Sequence, residues 1–319
     1  MPPDIDHHRL LYRIAQAYHL DGLTQQAVAE RFHLSRPKVS RLLHEARERG
    51  VVTITLVPPS GGLAELERRI EQQYALEEAI AVSVDDPRNL AGVARQLAPA
   101  AAACLLRSIR GKETVGITWG TTVRAIVDAM PPASWPELTV VQMNGGLGPL
   151  AYLEHSTDLV RRLAQRLGAR FHLLAAPGIA STPEAAQALR ADGEIARTLA
   201  LAAGADVALV GLGVLAPESV LLQSGSIVKR GDLQALRRAG AVGDIVLHFL
   251  DAAGASVESG IHERVIGLTL EQLRRIPRVI AVAGGEKKYK LIRAVLRAGL
   301  LKVLVTDHAT AKRLCAEPV

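Results

Sequence analysis

Four glycine-rich stretches of the 319-residue sequence carry side chains that could bind an anion. The first, Gly116–Thr122, ends in Gly120, Thr121 and Thr122, and the last, Val282–Lys288, ends in two lysines. Glycine lets a ligand approach the backbone closely, and free N–H groups at the start of a helix favour negative charge. Threonine hydroxyls and a lysine ammonium add further donors. The pattern favours a site for an anionic ligand such as a phosphate ester.

The other two stretches are Val140–Gly148, which contains Asn144 and Gly145, and Val210–Gly213. Each of the four, taken alone, is equally well explained as a tight turn between a strand and a helix, with threonines as helix caps and lysines as solvated charges. The run from Val210 also superficially fits a dinucleotide-binding fingerprint. Pro217 follows soon after, where that fold needs a helix to continue, so we disfavour a nicotinamide cofactor.

Short apolar runs alternate with helical stretches from Ala79 onward, which predicts a Rossmann-like α/β domain with a parallel sheet covered by helices. In such a sheet the carboxyl ends of the strands share one edge, where ligands bind. The glycine-rich stretches would therefore meet at that edge. The candidate strands are Ala79–Val84, Thr114–Thr118, Val140–Met143, Arg170–Leu174, Val207–Val210, Ile245–Leu250, Val279–Ala283 and Val303–Thr306.

Before this domain, the sequence predicts three short helices. The first covers His8–His19, the second follows a capping Thr24, and the third follows a capping Ser35, has Pro37 in its first turn and ends at Gly50. The spacing between the second and third helices is that of a helix-turn-helix. The apolar positions of this pattern are Val28, Phe32, Leu34, Val39 and Leu42.

Two further positions bear on the helix-turn-helix. Ala29 is small, as needed where the next helix crosses closely, and His33 stands in the turn in place of the usual glycine. A residue in that turn must tolerate a left-handed conformation, which histidine does at modest cost.

The third helix places cationic and hydroxyl side chains away from its apolar residues. Near a helix N-terminus they can contact major-groove bases and flanking phosphates. A basic helix alone is better explained as the solvated face of a small bundle, but the complete spacing favours double-stranded DNA as a partner. The candidate DNA-binding residues are Thr24, Gln25, Ser35, Arg36, Lys38, Ser40, Arg41 and His44.

The segment after the third helix predicts a domain boundary. Val51–Leu56 has the pattern of a strand, which could form a small wing, and Pro58–Gly62 breaks the periodicity. Leu63–Tyr74 predicts an amphipathic helix that either packs on the large domain or pairs with a second subunit. We expect a (winged) helix-turn-helix domain over residues 1–57, a linker over 58–62, and an effector-binding and oligomerisation domain over 63–319.

Composition restricts the class of protein. The chain is 49% hydrophobic and 22% charged, with no apolar run of membrane-spanning length and no signal-peptide pattern at its start. Cys104 and Cys315 lie far apart without metal-ligand spacing, as expected of buried thiols in a reducing cytoplasm. The net charge of +6 permits nucleic-acid or anion binding. We expect a cytoplasmic protein that holds neither metal nor cofactor.

In order and spacing, these motifs resemble the SorC family of sugar-responsive bacterial regulators over nearly the whole chain. In the helical part the resemblance is carried by Asp21–Gln25 and Ser35–Leu43. In the large domain it is carried by Gly116–Thr122, Asn144–Gly146, Gly240–Ile245, Ala283–Gly285 with Lys288, and Val305–Asp307 with Ala311. The resemblance implies a sensor fold similar to sugar-phosphate isomerases and glucosamine-phosphate deaminases. It also implies a dimer or tetramer that represses a carbohydrate operon and releases operator DNA when a phosphorylated sugar or polyol binds.

The resemblance also implies roles for single residues. Gly120, Thr121 and Thr122 would hold the phosphate, and Lys288 would add positive charge beside it. Asp244 would accept hydrogen bonds from sugar hydroxyls.

Asn144 stands where a lysine could form a Schiff base and an arginine could hold a second phosphate, so we disfavour a covalent effector and a bisphosphate gripped there. Gly145 and Gly213 complete the predicted effector-binding residues. The segment Leu247–Asp251 fits the family loosely, so His248 either adjusts specificity or is an ordinary packed residue.

Two other functions remain open. An enzyme acting on sugar phosphates would need a positioned general base, for which Asp244, Asp251 and Glu286 are available. We see no paired acid–base motif, and a DNA-binding domain has no use in such an enzyme. The third alternative is a DNA-binding scaffold whose sensor has lost its ligand.

Overall fold

The computed structural model describes residues 3–54, 62–146, 150–216, 221 and 228–317. The chain divides into two compact units, Met1–Ser60 and Gly61–Val319. Among the described residues, no helix is long and apolar enough to cross a membrane. Both cysteines are free thiols: Cys104 is buried as expected, whereas Cys315 is only partly buried.

The first unit is built from three helices, α1 (Pro3–His19), α2 (Gln25–Arg31) and α3 (Arg36–Glu48). Helix α1 begins earlier than the sequence predicts. The three helices enclose one apolar core, to which the residues of the helix-turn-helix pattern contribute as expected. Its fully or almost fully buried members include Leu11, Ile14, Val28, Val39, Leu42 and Leu43.

Local side-chain contacts fix the ends of these helices. The hydroxyl oxygen of Thr24 accepts a hydrogen bond from the backbone N–H of Ala27 at 3.2 Å, and that of Ser35 accepts one from Lys38 at 3.4 Å. Each cap satisfies a backbone donor that a helix start would otherwise leave unpaired. His33 has a φ of 53°, which is the left-handed conformation predicted for the turn. The helix-turn-helix is therefore confirmed.

The predicted wing is not formed where the structure describes it. Residues 51–54 of the expected strand Val51–Leu56 adopt bends and irregular backbone, and the rest lies outside the described residues. The cause is visible at Val52, whose N–H donates to the carbonyl of Ala46 at 3.0 Å. Val51 and Val52 pack against the helical core instead of pairing with another strand.

The second unit is a covered sheet, as predicted. Its helices are α4 (Ala64–Tyr74), α5 (Leu90–Arg107), α6 (Thr121–Ala129), α7 (Leu150–Leu167), α8 (Pro183–Ala191), α9 (Gly193–Ala203), α10 (Arg230–Arg238), α11 (Leu270–Arg275), α12 (Tyr289–Arg297) and α13 (His308–Ala316). Its strands are β1 (Glu78–Val82), β2 (Thr114–Ile117), β3 (Thr139–Gln142), β4 (Arg170–His172), β5 (Val207–Gly213), β6 (Gly243–Ile245), β7 (His248–Leu250), β8 (Arg278–Val282) and β9 (Val303–Asp307).

Seven strands form the main sheet in the order β1-β9-β8-β5-β2-β3-β4, and all neighbours along this path are parallel. The chain runs outward from β2 to β4 in one direction and from β5 to β9 in the other. The strand order therefore reverses between β2 and β5, and such a reversal opens a crevice at the carboxyl edge of the sheet.

Both faces of the sheet are buried, as expected for a parallel sheet between helices. Along β5, Val207 and Leu209 belong to one apolar cluster, whereas Ala208, Val210 and Leu212 belong to the other. This alternation follows from the two-residue period of a strand. Ile70 and Tyr74 of α4 join the second of these clusters, so α4 packs within the large unit, which is one of the two alternatives for this helix.

Two expectations for the strands are wrong. The single strand predicted over Ile245–Leu250 is an antiparallel hairpin of β6 and β7, because the chain reverses at Val246 and Leu247. The glycines expected to form a turn over Val210–Gly213 lie inside β5, where they pair with β8 and β6. Because glycine has no side chain, neighbouring elements can approach the strand closely at these positions.

Candidate functional site

A cavity of about 180 Å³ lies at the carboxyl edge of the sheet, beside the point between β2 and β5 where the strand order reverses. Its wall is formed by the start of α6, the end of β5, the β6–β7 hairpin, the turn before α12 and the first residues of α5. The position is the one expected for a ligand site in a sheet of this type.

The start of α6 supplies the cavity with hydrogen-bond donors. Gly120 precedes the helix with a φ of 137°, a conformation that favours glycine, and no side chain of the described residues caps the first turn. Thr121 is exposed and Thr122 is buried. The uncapped N–H groups and the hydroxyls form a surface suited to an anion.

Lys288 lies in the connection between β8 and α12 and lines the same end of the cavity. It is 8% exposed, and its Nζ donates to the hydroxyl oxygen of Thr122 at 3.4 Å. A short 3₁₀ turn, Glu286–Lys288, carries it, and this turn begins at Gly285 with a φ of 96°. The N–H of Gly285 donates at 2.7 Å to the buried carboxylate of Asp307, which holds the turn in place.

Burial controls the ionisation of Lys288. Its removal from water lowers the pKa of the ammonium to about 8, and the nearby Asp244 carboxylate opposes this decrease. The lysine is therefore still charged at neutral pH, although the fold stabilises its charge poorly. Among the described residues its ammonium makes one weak hydrogen bond, so this buried cation is suited to bind an anion.

Asp244 lies in β6 and faces the end of β5. One carboxylate oxygen, Oδ2, accepts a hydrogen bond from the N–H of Leu247 at 3.2 Å, and Oδ1 is buried without a donor in the described part of the chain. A Cβ at Gly213 would collide with Oδ1, so any larger residue there would have to displace the Asp244 carboxylate. Burial raises the pKa of Asp244 to about 7, against the lowering effects of the Leu247 N–H and of Lys288.

The hairpin turn next to Asp244 has an unusual backbone. Val246 and Leu247 have φ values of 47° and 68°, and both line the cavity. A two-residue hairpin loop of type I′ requires positive φ at both positions, and glycine, asparagine and aspartate usually occupy them. A branched valine there is strained. The hydrogen bond from Leu247 to Asp244 is part of what maintains this turn at the edge of the site.

Asn144 follows β3 and is 2% exposed. Its backbone bridges to Gly267, and its carbonyl accepts a hydrogen bond from Nε2 of Gln142 at 2.9 Å. The side-chain oxygen of Asn144 has no donor among the described residues. Asn144 and Asp244 thus each keep one buried oxygen without a donor among the described residues.

Seven of the eight residues predicted to bind the effector line the cavity: Gly120, Thr121, Thr122, Asn144, Gly213, Asp244 and Lys288. Gly145 does not line it. Its N–H donates to the carbonyl of Ile266 and its carbonyl accepts from the indole of Trp119, at 2.8 and 2.9 Å. A Cβ there would collide with the backbone of Pro177, so Gly145 acts through close packing.

Sequence reasoning missed part of the wall. Leu90 and Ala91, the first residues of α5, also line the cavity. Asn89, a typical capping residue, could have indicated that a helix begins there, and the junctions that lead from strands to helices in a parallel sheet lie at the same edge. Val246 and Leu247 gave no signal, since neither residue type is typical of a turn.

The other side chains considered in the sequence lie outside this wall. His248 is a packed residue: its Nε2 lies 2.9 Å from the carbonyl oxygen of Leu268, and burial, together with the neighbouring His262, lowers its pKa to about 4. Asp251 accepts hydrogen bonds from the N–H groups of Ala253 and Ala255. Glu286 is exposed. Of the three candidate general bases, Asp244 alone lines the cavity.

In the first unit, Arg36, Lys38, Ser40, Arg41 and His44 are exposed on α3, as the sequence predicts. Ser40, Arg41 and His44 border one shallow depression. Arg36 borders a second, together with Thr24 and Gln25 at the start of α2. Ser35 is exposed and acts as a helix cap. This surface presents cations and hydroxyls of the kind that contact DNA phosphates and base edges.

Two carboxylates on α3 weaken the positive charge of this surface. Glu48 lies 3.3 Å from Nε2 of His44, and Glu45 contacts His7 at 2.8 Å and Arg49 at 2.9 Å. The hydrogen bond from His7 lowers the pKa of Glu45. The His7–Glu45 pair links α1 to α3, whereas the other two pairs lie within α3 and its C-terminal cap. Lys38 and Arg41 are exposed.

The chain is similar to known proteins over almost its full length. The family model described as "Putative sugar-binding domain" matches residues 59–316. The deoxyribonucleoside regulator of Bacillus subtilis is 31% identical over 98% of both chains, and the erythritol catabolism regulatory protein EryD of Brucella abortus is 30% identical over 97% of both. The structure of the full-length sorbitol operon regulator SorC from Klebsiella pneumoniae matches with a TM-score of 0.72 and 27% identity, covering 97% of this chain and 99% of that one.

The chain therefore joins a helix-turn-helix unit to a parallel α/β unit, and it is similar over almost its full length to proteins that are named as regulators. The cavity lies in the unit that the sugar-binding model matches. The chain belongs to the SorC family of sugar-binding transcriptional regulators.

Proposed function

We propose that this regulator is a repressor of a carbohydrate-related operon and that a phosphorylated sugar or polyol controls its affinity for operator DNA. The observation that carries the proposal is the meeting of the uncapped start of α6 with the buried Lys288 ammonium at one end of the cavity. An anion placed there would accept hydrogen bonds from Thr121, Thr122 and Lys288.

The charge of Lys288 makes a phosphate ester a better ligand than a free sugar. Its ammonium is buried and makes one weak hydrogen bond within the described part of the chain, so a dianionic group would replace the hydration that Lys288 has lost. A neutral sugar offers hydroxyls but leaves the charge uncompensated. Among the described lining residues Lys288 is the one cation, which favours a single phosphate over a bisphosphate.

The effector must bind one arrangement of the regulator more tightly than another to change its DNA affinity. We propose that α3 of the first unit binds operator DNA through Arg36, Lys38, Ser40 and Arg41. Two of the relatives are named for a polyol, as the erythritol catabolism regulatory protein and the sorbitol operon regulator, and a third is named as a deoxyribonucleoside regulator. A related carbohydrate system is the expected target of this chain.

The test combines two readouts on the full chain. Differential scanning fluorimetry against sugar and polyol phosphates and their dephosphorylated partners should show stabilisation by one ester and none by its free alcohol. Fluorescence anisotropy with DNA upstream of the operon should then show release by the same ester. Thr122→Val should weaken the effect of the ester and leave ester-free DNA binding intact, since the residue lies in the other unit. Stabilisation by free sugar as strongly as by its ester would refute the anion site.

An enzyme acting on sugar phosphates remains the second candidate, since the cavity contains a carboxylate whose pKa is about 7. Asp244 lies in the cavity without a second acid or base other than Lys288 among the described lining residues. We therefore propose binding without turnover. Incubation with aldose and ketose phosphates, followed by NMR, should show no interconversion.

A homodimer or homotetramer is proposed as the DNA-binding form. Two or more helix-turn-helix units would match an operator with repeated half-sites, as is general for this motif. Light scattering with and without operator DNA measures the subunit number, and a monomer that binds DNA with full affinity would contradict the proposal.

A further inference from the structure

Helix α13 is bonded at its start to the turn that carries Lys288. The N-terminal cap of α13 is Asp307, whose Oδ1 accepts a hydrogen bond from the N–H of Thr310 at 2.9 Å. The other oxygen of the same buried carboxylate, Oδ2, accepts the hydrogen bond from the N–H of Gly285 at 2.7 Å. One side chain therefore both caps α13 and holds the turn that places the Lys288 ammonium at the cavity.

Further contacts join the end of α13 to α12, the helix that follows this turn. The guanidinium of Arg313 lies 3.7 Å from the ring centroid of Tyr289, the first residue of α12, within the range of a cation–π contact. Glu317, just after α13, accepts a hydrogen bond from Arg313 at 3.0 Å and pairs with Arg293 of α12 at 3.1 Å. The turn and α12 together are therefore attached to α13 at both of its ends.

The carbonyl groups at the end of α13 receive hydrogen bonds from α4. The last four carbonyls of a helix have no partner within the helix. Nη2 of Arg69 donates to the carbonyl of Cys315 at 2.9 Å. Nε2 of Gln73 donates to the carbonyls of Leu314, at 3.1 Å, and Glu317, at 2.7 Å. Two side chains of α4 thus cap the C-terminal end of α13.

The position of α4 in the chain makes this contact relevant to DNA binding. It is the first helix that the structure describes after the boundary between the two units, so a change that reaches the helix-turn-helix along the chain passes through it. On another side, Glu67 and Glu71 of α4 accept hydrogen bonds at 2.9 Å from N–H groups of β1, the end strand of the main sheet. The attachment of α4 to the sheet and its attachment to α13 can therefore be altered separately.

We propose that α13 couples the cavity to the DNA-binding unit, through its contact with Arg69 and Gln73 of α4. This inference rests on the proposed function and names the route by which its effector acts. An anion bound between Lys288 and the start of α6 changes the position of the turn. Because α13 is attached to this turn and to α12, it shifts with them, and its C-terminal end displaces α4.

Anisotropy with a fluorescent operator duplex and calorimetry, both on the full chain, test this route. The probes are erythritol 4-phosphate, ribose 5-phosphate and glucitol 6-phosphate. The measured quantity is the coupling factor, by which a saturating probe weakens operator affinity. For the wild-type chain and the probe that binds, we expect a factor of about 5 to 150, and operator DNA must weaken binding of the probe by the same factor.

Variants of α4 should remove the coupling and leave both binding sites intact. Gln73→Glu keeps the size of the side chain but has no N–H to donate, and Arg69→Ala removes the other donor; each should lower the coupling factor at least about twofold. Combined, they should lower it to less than about threefold. Operator affinity without probe and probe affinity without DNA should stay within about threefold of the wild type, because the cavity and the contacts of α4 with β1 are unchanged.

Matched controls come from the same helix. Gln72→Glu and Arg68→Ala make the same changes at neighbouring exposed positions and should keep the wild-type coupling factor. Circular dichroism melts confirm that each variant is folded, and Arg69→Ala tests the route by itself at an exposed position.

The outcomes separate the route from the proposed function. A combined variant that the probe releases from DNA as it releases the wild type overturns the route and leaves the proposed function standing. Lost operator affinity of the combined variant without probe also overturns the route, since α4 would then need α13 in order to bind DNA. A wild-type chain that binds none of the probes, or binds one without a change in operator affinity, overturns the proposed function, and the route with it.

Discussion

Replacing Lys288 by methionine should increase the stability of the ligand-free fold and remove its response to the effector. Methionine is similar in length and apolar, so it can occupy the buried path of the lysine stem. The fold gains stability and loses its response for the same reason, namely that the ammonium is buried. Without a bound anion the ammonium is poorly solvated and destabilises the fold, whereas with the anion it contributes to binding.

The size of the effect follows from the pKa. Burial lowers the pKa of Lys288 from 10.5 to about 8, and each pKa unit corresponds to about 1.4 kcal/mol. Below pH 8 the lysine is charged in both folded and unfolded chains, so the charged group destabilises the fold by about 3 kcal/mol at neutral pH. This penalty disappears only as the pH rises from about 8 towards 10.5. In Lys288→Met, part of the stabilisation from removing this penalty is lost because the Asp244 carboxylate no longer has a positive charge nearby.

We therefore expect Lys288→Met to stabilise the ligand-free chain by about 1–2 kcal/mol at pH 7, which raises the Tm by about 2–6 °C. Affinity for the phosphate ester should fall about 10- to 100-fold, as for the loss of a charge-assisted hydrogen bond. Urea unfolding measures the first effect and calorimetry the second. Lys290→Met, at an exposed position two residues away, is the matched control. It should change the free energy of unfolding by less than about 0.5 kcal/mol and the ester affinity by less than about twofold.

A lower stability of Lys288→Met at pH 7 would refute the reasoning, since it would mean that the fold stabilises the charged ammonium. Unchanged ester affinity in a folded variant would place the phosphate elsewhere.

Three further predictions address other parts of the chain. Gly213→Ala adds a methyl group that must displace the Asp244 carboxylate, so effector affinity should fall more than about tenfold by calorimetry; in Gly211→Ala the added methyl meets its nearest neighbour at 3.6 Å, and the loss should be smaller. Arg41→Ala should weaken operator binding and reduce the slope of log affinity against log salt by about one, measured by anisotropy, whereas Arg88→Ala in the other unit should change neither. Because the pKa of Asp244 is raised to about 7, the folded chain binds its proton more tightly than the unfolded chain. The free energy of unfolding of the wild-type chain, compared with that of Asp244→Asn, should therefore fall as the pH rises from about 4 to 7; no difference in slope between the two would contradict the assignment.

The helix-turn-helix could be predicted because local chemistry determines it. Thr24 and Ser35 cap their helices through hydrogen bonds with the N–H groups three residues further along the chain. The turn requires a left-handed conformation at the single position of His33. The wing could not be predicted in the same way. Val51 and Val52 can either pair with another strand or pack against the helical core. The second arrangement depends on tertiary contacts that the sequence of this segment alone does not reveal.

The main sheet was predictable from its apolar runs, and most of the cavity residues follow from the rule that strand ends of a parallel sheet share one edge. The β6–β7 hairpin was not. Val246 has β propensity and Leu247 is not a usual turn residue, yet both adopt positive φ. The surrounding structure, including the hydrogen bond from Leu247 to Asp244, overrides their preference. Gly211 and Gly213 misled for a related reason, since glycine often marks a turn, but both lie within a strand here. At Gly213 the missing side chain leaves space for the Asp244 carboxylate.

The most direct test is to titrate the regulator bound to a fluorescent operator duplex with the phosphate ester that stabilises it, and in parallel with the free alcohol, at fixed salt. We expect the ester to release the DNA, the free alcohol to have no effect, and Lys288→Met to stay bound at ester concentrations that release the wild-type chain. An operator affinity that remains unchanged when calorimetry shows the cavity to be saturated with ester would contradict control of DNA binding by a phosphorylated effector.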